Sequence, residues 1–347
     1  MAHGGSFTSG NKTNGEVVEF CEDLAKRGYV AVSMQYRLET NPLAILSEES
    51  MVKAVMRAVQ DGKALVRFLR ANAIDGSNTY GIDHDQIYVG GVSAGGVLGL
   101  HLAYMDDSTL LSSNWQTWAT SIGGLEGSSG TPGYSSEVSG VVNISGALGD
   151  SLYLQPKHTI VPFISFHSEG DGTVIYDYGY PLGVPSLPSL HGSYNLKIRA
   201  DNLGVHNPFF SYTGAAHPPF LIGGNFDPTI LAGHKTEIAA FLYSTLTCNP
   251  NNIFGGGTGV ATASIGELSV YPNPANGMVK VELPNASIGS HELEVFNSTG
   301  QKVIELQGLE NSEVSFSTEA LSSGIYIIRL ENSADPSAVL RTSLIVE

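Results

Sequence analysis

Ile87-Tyr88-Val89-Gly90-Gly91-Val92-Ser93-Ala94-Gly95-Gly96-Val97-Leu98 is the stretch whose reading decides the fold. Its first six residues form a strand-like apolar run, and Ala94 to Tyr104 continues as an apolar, proline-free, helix-like segment. Between them lies Gly91-Val92-Ser93-Ala94-Gly95, a G-x-S-x-G match directly after a strand and directly before a helix. In that context the serine sits on a sharp, strained turn, and the flanking glycines let strand and helix come close. The turn lifts the hydroxyl to the carboxyl end of a sheet and points a helix N-terminus at the place where negative charge develops in acyl transfer. Gly and Ser are common residues, so the strand before and the helix after carry the reading.

The segments on either side alternate in the same way. Upstream, Val17, Val18, Phe20, Cys21, Leu24 and Ala25 recur at helical spacing, and Gly28 falls where a helix C-cap belongs. Tyr29-Val30-Ala31-Val32-Ser33-Met34 follows as a short run of the kind buried in a parallel sheet. Residues 51–71, with Val52, Val55, Val59, Leu65, Phe68 and Leu69, read as a long amphipathic helix. Downstream, 138–144, 160–166 and 209–212 are strand candidates and 230–246 is the last helix. The alternation implies an α/β fold, a mostly parallel sheet flanked by helices. Residues 111–136 and 177–205, rich in Gly, Ser, Pro and Tyr, break the alternation and read as insertions over one end of the sheet, where binding loops lie.

Periodicity is lost over 249–262, which reads as a flexible linker through Gly255-Gly256-Gly257. Beyond it come short alternating segments near 268–271, 279–283, 292–296, 303–306, 324–330 and 342–346, separated by turn residues. That spacing predicts a small antiparallel β-sandwich. The expected division is a catalytic domain over 1–248, the linker 249–262, and a sandwich over 263–347.

Composition narrows the function classes. With 42% hydrophobic and 14% charged residues in 347, the chain suits a packed globule and not a disordered one. Its formal net charge is -16, and no Lys/Arg run tracks a phosphate backbone, so nucleic acid and anionic membrane surfaces are excluded as partners. No stretch approaches the roughly 20 apolar residues of a membrane span, so an integral membrane protein is not expected. The two cysteines, Cys21 and Cys248, are either free thiols or one long-range disulfide. Neither an H-E-x-x-H pattern nor an Asp/His cluster calls for a metal, and no cofactor is implied.

Acyl transfer needs more than a serine. Preorganised N–H donors must face the oxyanion, and His3-Gly4-Gly5-Ser6 supplies a backbone without Cβ atoms in the way. Gly4, Gly5 and Ala94 are the expected donors, the alternative being that Met1-Ala2-His3 is a cloning remnant. A base and a group to orient it should follow the serine, acid first, each after a late strand. Asp171 stands after the strand at 160–166, and His217 after the strand at 209–212. Asp150 and Glu169 are rival acids. His234 is a rival base, for which an exposed or capping role at the start of the last helix is the other reading. His167, His191 and His206 read as loop or surface histidines.

On these residues, 3–246 resembles the α/β-hydrolase carboxylesterase/lipase superfamily. The resemblance rests on His3-Gly4-Gly5, on Gly91-Val92-Ser93-Ala94-Gly95-Gly96, on Asp171-x-x-Val174 and on Ala216-His217. It implies Ser93 as nucleophile, Asp171 as acid, His217 as base, and Gly4, Gly5 and Ala94 as the oxyanion hole. Residues 267–346 resemble the Bacteroidetes type IX secretion sorting domain, through Val270-Tyr271-Pro272-Asn273-Pro274-Ala275, Val295-Phe296-Asn297-Ser298-Thr299-Gly300-Gln301 and Leu321-Ser322-Ser323-Gly324-Ile325-Tyr326. That implies export across the outer membrane by the type IX machinery and release or surface attachment.

The expectation is therefore a secreted serine esterase acting through an acyl-enzyme on small-molecule or polymeric esters. Trp115, Trp118, Tyr134, Tyr176, Tyr178 and Tyr180 in the two insertions point to polymer-linked or aromatic esters, such as acetylated or feruloylated polysaccharide, or a polyester. A serine peptidase of the same fold and an inactive polysaccharide-binding scaffold are the alternatives. In the resembling fold the oxyanion loop follows a strand near the middle of the sheet. The sequence begins at that loop with no signal peptide, so the catalytic domain is expected to be N-terminally incomplete, with two unpaired sheet edges buried.

Overall fold

Residues 1–41, 46–246, 270–282, 291–297, 301–309, 313–332 and 335–346 are described by the structure, a computed structural model. The chain divides into two units, Met1–Gly256 and Gly257–Glu347. The expected linker and Cys248 lie outside the described residues. Cys21 is half-buried and carries a free thiol.

Among the described residues the first unit has the α-helices α1 Gly15–Lys26, α2 Glu48–Ile74, α3 Ala94–Tyr104, α4 Ser113–Ser121, α5 Ser193–Leu203 and α6 Pro228–Thr245. Its strands are β1 Tyr88–Val92, β2 Gly140–Ile144, β3 Ala147–Leu148, β4 Phe163–Ser168, β5 Tyr178–Gly179, β6 Leu190–Gly192, β7 Phe209–Tyr212, β8 Leu221–Ile222 and β9 Asn225–Phe226. β1, β2, β4 and β7 pair in that order, all parallel. α1 ends as its sequence predicts, with Arg27 as C-cap and Gly28 beyond it at φ +93°. Ser47 caps α2 by accepting from the Ser50 N–H. Ten of the eleven residues of α3 are buried, so this helix is apolar all round and lies inside the unit. α2 crosses it closely at Gly62, where a Cβ would come within 2.8 Å of Leu102 Cδ1.

Two segments differ from the sequence reading. Tyr29–Met34 is only partly buried, and of its residues only Met34 is bridged, to Ala2. An extended segment becomes a ladder strand only where a neighbour pairs along it, and here the pairing is confined to the bridge between Met34 and Ala2. Ala2 bridges Gly91 on its other side as well, so both facing edges are paired at this point. The Met1 amino group donates to the Val32 carbonyl at 2.7 Å, and burial lowers its pKa. Beyond it a cavity of about 590 Å³ lies among Tyr29–Val32, Leu65, Leu69, Tyr88 and Val89. Residues 177–205, read as an insertion, contain α5, which is the crossover between β4 and β7. Its Leu196 and Ala200 are fully buried, so the segment continues the alternation.

The second unit holds β10 Val270–Tyr271, β11 Met278–Glu282, β12 His291–Phe296, β13 Lys302–Leu309, β14 Glu313–Ser317, β15 Gly324–Asn332 and β16 Asp335–Val346. They form two antiparallel sheets, β10-β11-β14 and β13-β12-β15-β16. Val279, Val281 and Phe316 of one sheet share a core with Leu293, Val295, Ile328 and Leu344 of the other. Met278, Lys280 and Glu282 alternate with that core and face water, the signature of a half-buried strand.

His234 is neither exposed nor a cap. It is fully buried in α6 against the rings of Phe166, Tyr212 and Phe220, and neither ring nitrogen has a partner among the described residues. Burial lowers its pKa to about 3. An unfolded histidine titrates near ~6.5, so between these values the unfolded chain binds more protons and stability falls as pH falls. His234→Phe keeps an aromatic ring and removes two unsatisfied nitrogens. It should raise the unfolding free energy measured by urea denaturation, by about 1 kcal/mol near neutral pH and by more at about pH 5. A gain no larger in acid than at neutral pH would refute this account of His234.

Candidate active site

The turn between β1 and α3 holds Ser93 at φ 57° and ψ −119°, a conformation that non-glycine residues rarely adopt. Its N–H donates to the Ile144 carbonyl of β2 at 2.8 Å, which ties the turn to the neighbouring strand. Both glycines around it are required by close approach. A Cβ on Gly95 would stand 2.0 Å from the Ala2 carbonyl oxygen, and one on Gly91 would stand 2.6 Å from the same atom and 2.3 Å from Gly95 C. Ser93 is the N-cap of α3, yet its hydroxyl makes no capping bond.

That hydroxyl is engaged elsewhere. Ser93 Oγ lies 2.7 Å from His217 Nε2, and His217 Nδ1 lies 2.6 Å from Asp171 Oδ2. The carboxylate can only accept, so Nδ1 carries the proton and Nε2 is left to accept from the serine O–H. Asp171 is fully buried in the loop after β4, and His217 stands in the loop after β7. Burial pushes the Asp171 carboxyl up. The hydrogen bonds from His167 and His217, the electrostatic attraction of His217 and the Thr173 N–H outweigh that and hold it well below the usual carboxylate range. Its other oxygen accepts from the N–H groups of Thr173 at 2.9 Å and Val174 at 3.1 Å, which fixes its orientation.

The N-terminal loop folds against the same serine. A Cβ on Gly4 would come within 3.3 Å of Ser93 Cβ, so the loop's backbone runs directly beside the hydroxyl-bearing carbon. Gly5 has φ +118°, and a side chain there would collide with the Ser9 carbonyl. Ser6 and Phe7 follow at φ 51° and 61°, two strained residues in succession. Tyr36 clamps the loop: its O–H donates to the His3 carbonyl at 2.8 Å and its ring stacks on the His3 imidazole at 4.3 Å. Ala94, as the first residue of α3, has no preceding turn to take its N–H.

The rival residues are used differently. Asp150 caps a turn through the Leu152 N–H, and Glu169 accepts from the Ser211 hydroxyl. His191 faces Asn195 at 2.7 Å. His206 stacks on Phe241. His101 is buried, with Nδ1 on the Val97 carbonyl and Nε2 accepting from the Gly149 N–H, and burial lowers its pKa to about 4. It lines, with Phe7, Val97, Trp115, Val174 and Leu187, an apolar cavity of about 100 Å³ that opens on Ser93.

His167, read from sequence as a loop or surface residue, is fully buried at the end of β4 beside Asp171. A usable signal was present: an imidazole near the carboxyl end of a buried strand, four residues before Asp171.

Residues 1–146 match the family described as BD-FAE, and residues 269–347 match the Secretion system C-terminal sorting domain. No curated protein matches the chain. Among solved structures, a thermophilic esterase of the planctomycete Thermogutta terrifontis with propionate bound aligns with 20% identity and a TM-score of 0.49, over 74% of this chain and 84% of that one. The apo form of Thermogutta terrifontis esterase 2 aligns with 20% identity and a TM-score of 0.48, over 70% and 80%. A truncated carbohydrate esterase from gut microbiota aligns with 20% identity and a TM-score of 0.46, over 70% and 84%. Residues 1–146 are thus similar to the BD-FAE family and residues 269–347 to the secretion-system C-terminal sorting domain, one match in each of the two units.

Proposed function

We propose that the protein is a secreted serine esterase that hydrolyses carboxylic esters through an acyl-enzyme. The observation that carries this reading is the unbroken chain of contacts from Ser93 Oγ to His217 at 2.7 Å and from His217 to Asp171 at 2.6 Å. Ser93 attacks the ester carbonyl while His217 Nε2 takes its proton. The tetrahedral oxyanion is held by the N–H groups of Gly4, Gly5 and Ala94, in a site whose backbone is already locked by Tyr36 and the elbow glycines. His217 then returns the proton to the leaving alcohol. Water, activated by the same imidazole, releases the acid and restores Ser93. Asp171 stays ionised throughout, orienting the ring and stabilising the imidazolium.

The cavity beside Ser93 favours one class among the esters that the sequence points to. Its lining is apolar and its volume is about 100 Å³. A cavity of roughly 150 Å³ accommodates benzene. The space therefore suits a short aliphatic acyl group better than a feruloyl ring, with the alcohol side free to be a polymer. Acetylated polysaccharide fits both this site and export by the type IX machinery through the sorting domain. No helix among the described residues is long and apolar enough to cross a membrane.

Ser93→Ala should cut turnover of p-nitrophenyl acetate by a factor on the order of 10⁶ with the fold intact by circular dichroism. A fluorophosphonate should label the wild type at Ser93 and leave the variant unlabelled, as read by peptide mass spectrometry. Activity that survives the substitution moves the nucleophile elsewhere. Across p-nitrophenyl acetate, butyrate, octanoate and a feruloyl ester, kcat/KM should be highest for the two short chains. It should fall about tenfold or more for the others, each methylene or ring that finds no room being worth about 1–3 kcal/mol. An enzyme that prefers the feruloyl ester overturns this assignment of the cavity while leaving the nucleophile in place.

A further inference from the structure

Asp171 has a second imidazole on the same oxygen. His167 Nε2 lies 3.2 Å from Asp171 Oδ2, the atom that His217 contacts at 2.6 Å. Both side chains of the pair His167 and Asp171 are fully enclosed, so neither can exchange this contact for water. His167 Nε2 is also 3.0 Å from the Val174 carbonyl. Two acceptors therefore face one ring nitrogen, and the proton must sit on it.

The far side of the ring is held as well. His167 Nδ1 is 2.7 Å from Ser193 Oγ, on the first residue of α5. Ser193 Oγ receives the Asn143 amide at 2.9 Å, and its alternative acceptor, the Gly146 carbonyl, is farther away at 3.2 Å. The acceptors at Nε2 fix a hydrogen there, while the Ser193 hydroxyl holds the Nδ1 side of the ring in place. Asn143 is itself locked: its amide also donates to Ser165 at 2.9 Å, and its carbonyl accepts from the Gly146 N–H at 2.9 Å. All four of Asn143, Ser165, Ser193 and His167 are fully buried. This set ends at the elbow, because a Cβ on Gly96 of α3 would meet Asn143 Oδ1 at 2.9 Å. The groups facing the His167 ring are Asp171 from its own loop, Tyr176 edge-on at 5.7 Å, and the neutral Ser193 from α5.

We propose that His167 is a positioning residue of the esterase reaction: held in place by Ser193 and Asn143, it shares its Nε2–H between the Val174 carbonyl and Asp171 Oδ2 and so sets how strongly that carboxylate binds the His217 imidazolium. The inference rests on the reading of Ser93, Asp171 and His217 given above. A hydrogen bond from His167 draws charge away from the oxygen that His217 shares. Without it the carboxylate is a stronger partner for the imidazolium, so His217 holds its proton to higher pH. The base needed for attack by Ser93 then becomes available later as pH rises. A residue that merely fills space beside Asp171 has no such effect on the titration.

The test is the pH profile of kcat/KM for p-nitrophenyl acetate in the full chain, for wild type, His167→Leu, His167→Gln and Ser193→Ala. In His167→Leu the acid limb should move up by about half a pH unit or more, with kcat lowered about 10–100-fold and KM within about threefold of wild type. His167→Gln keeps an N–H donor towards Asp171 and an acceptor towards Ser193, and should restore the wild-type limb. Ser193→Ala removes the hydroxyl that holds the Nδ1 side of the ring, so Nε2–H is held less firmly towards Asp171, and it should move the limb in the same direction as His167→Leu by a smaller amount. It also serves as the readout if the leucine variant does not fold. Acid limbs that coincide in wild type and in every folded variant overturn the proposal, even where activity drops. The underlying reading fails in a different way, through esterase activity that persists in Ser93→Ala.

Discussion

The Ala2 carbonyl oxygen occupies space that a side chain on Gly91 or Gly95 would need, and the site depends on that intrusion. One backbone atom of the N-terminal stub sits inside the bend between β1 and α3, with Ala2 N–H bonded to the Gly90 carbonyl at 2.7 Å and Val92 N–H returning to Ala2 at 3.2 Å. The stub and the elbow are thereby one piece of ladder. The loop that begins at His3 inherits its position from that ladder, which is why Gly4 arrives 3.3 Å from Ser93 Cβ in the sense of a virtual side chain. Ser93 and the loop at 3–6 are thus placed by a single packing constraint. Strain in Ser93, Ser6 and Phe7 is tolerated because the surrounding ladder leaves these residues no alternative.

The opposite wall of the site is placed by the other half of the sheet. β4 and β7 are neighbours in parallel register, so the loops that leave their carboxyl ends emerge side by side. Glu169 N–H bonds the Tyr212 carbonyl and Gly170 N–H bonds the Gly214 carbonyl at 2.7 Å, continuing the pairing past the strand ends. These bonds bring Asp171 and His217 within reach although 46 residues separate them. The acid is then secured by two main-chain donors on one oxygen and two imidazoles on the other. A carboxylate buried without them would be protonated at neutral pH and could not orient a base.

Much of this was legible in the residues alone, for reasons that differ between elements. Ser93, Asp171 and His217 stand out because chemistry demands particular residue types and the fold demands that each follow a strand. Both conditions are visible along the chain. α3 and β2 are legible because burial on all sides leaves a continuous apolar signal. α5 was not, because its inward face is Ser193, Leu196 and Ala200, too small and too polar to stand out against the Gly, Ser and Tyr around it. β14 escaped for a similar reason, its burial resting chiefly on Phe316. Tyr29–Met34 erred in the other direction. Its composition is that of a buried strand, but ladder formation depends on what lies alongside, and composition does not encode that.

His167 and His234 show where single-residue reading stops. Both are imidazoles, both fully buried, and burial alone does not tell their roles apart. What separates them is partners. His234 faces aromatic rings and has no hydrogen-bond partner among the described residues, so its only energetic consequence is the cost of keeping it neutral. His167 has acceptors on one nitrogen and the Ser193 hydroxyl on the other, supplied by the loop after β4 and by α5. A buried polar network of that kind is stable only when every member is satisfied, so each partner restricts the others to one arrangement of protons. The same restriction that makes the network costly to disturb is what allows it to hold a carboxylate in a single state beside a base that must change its own.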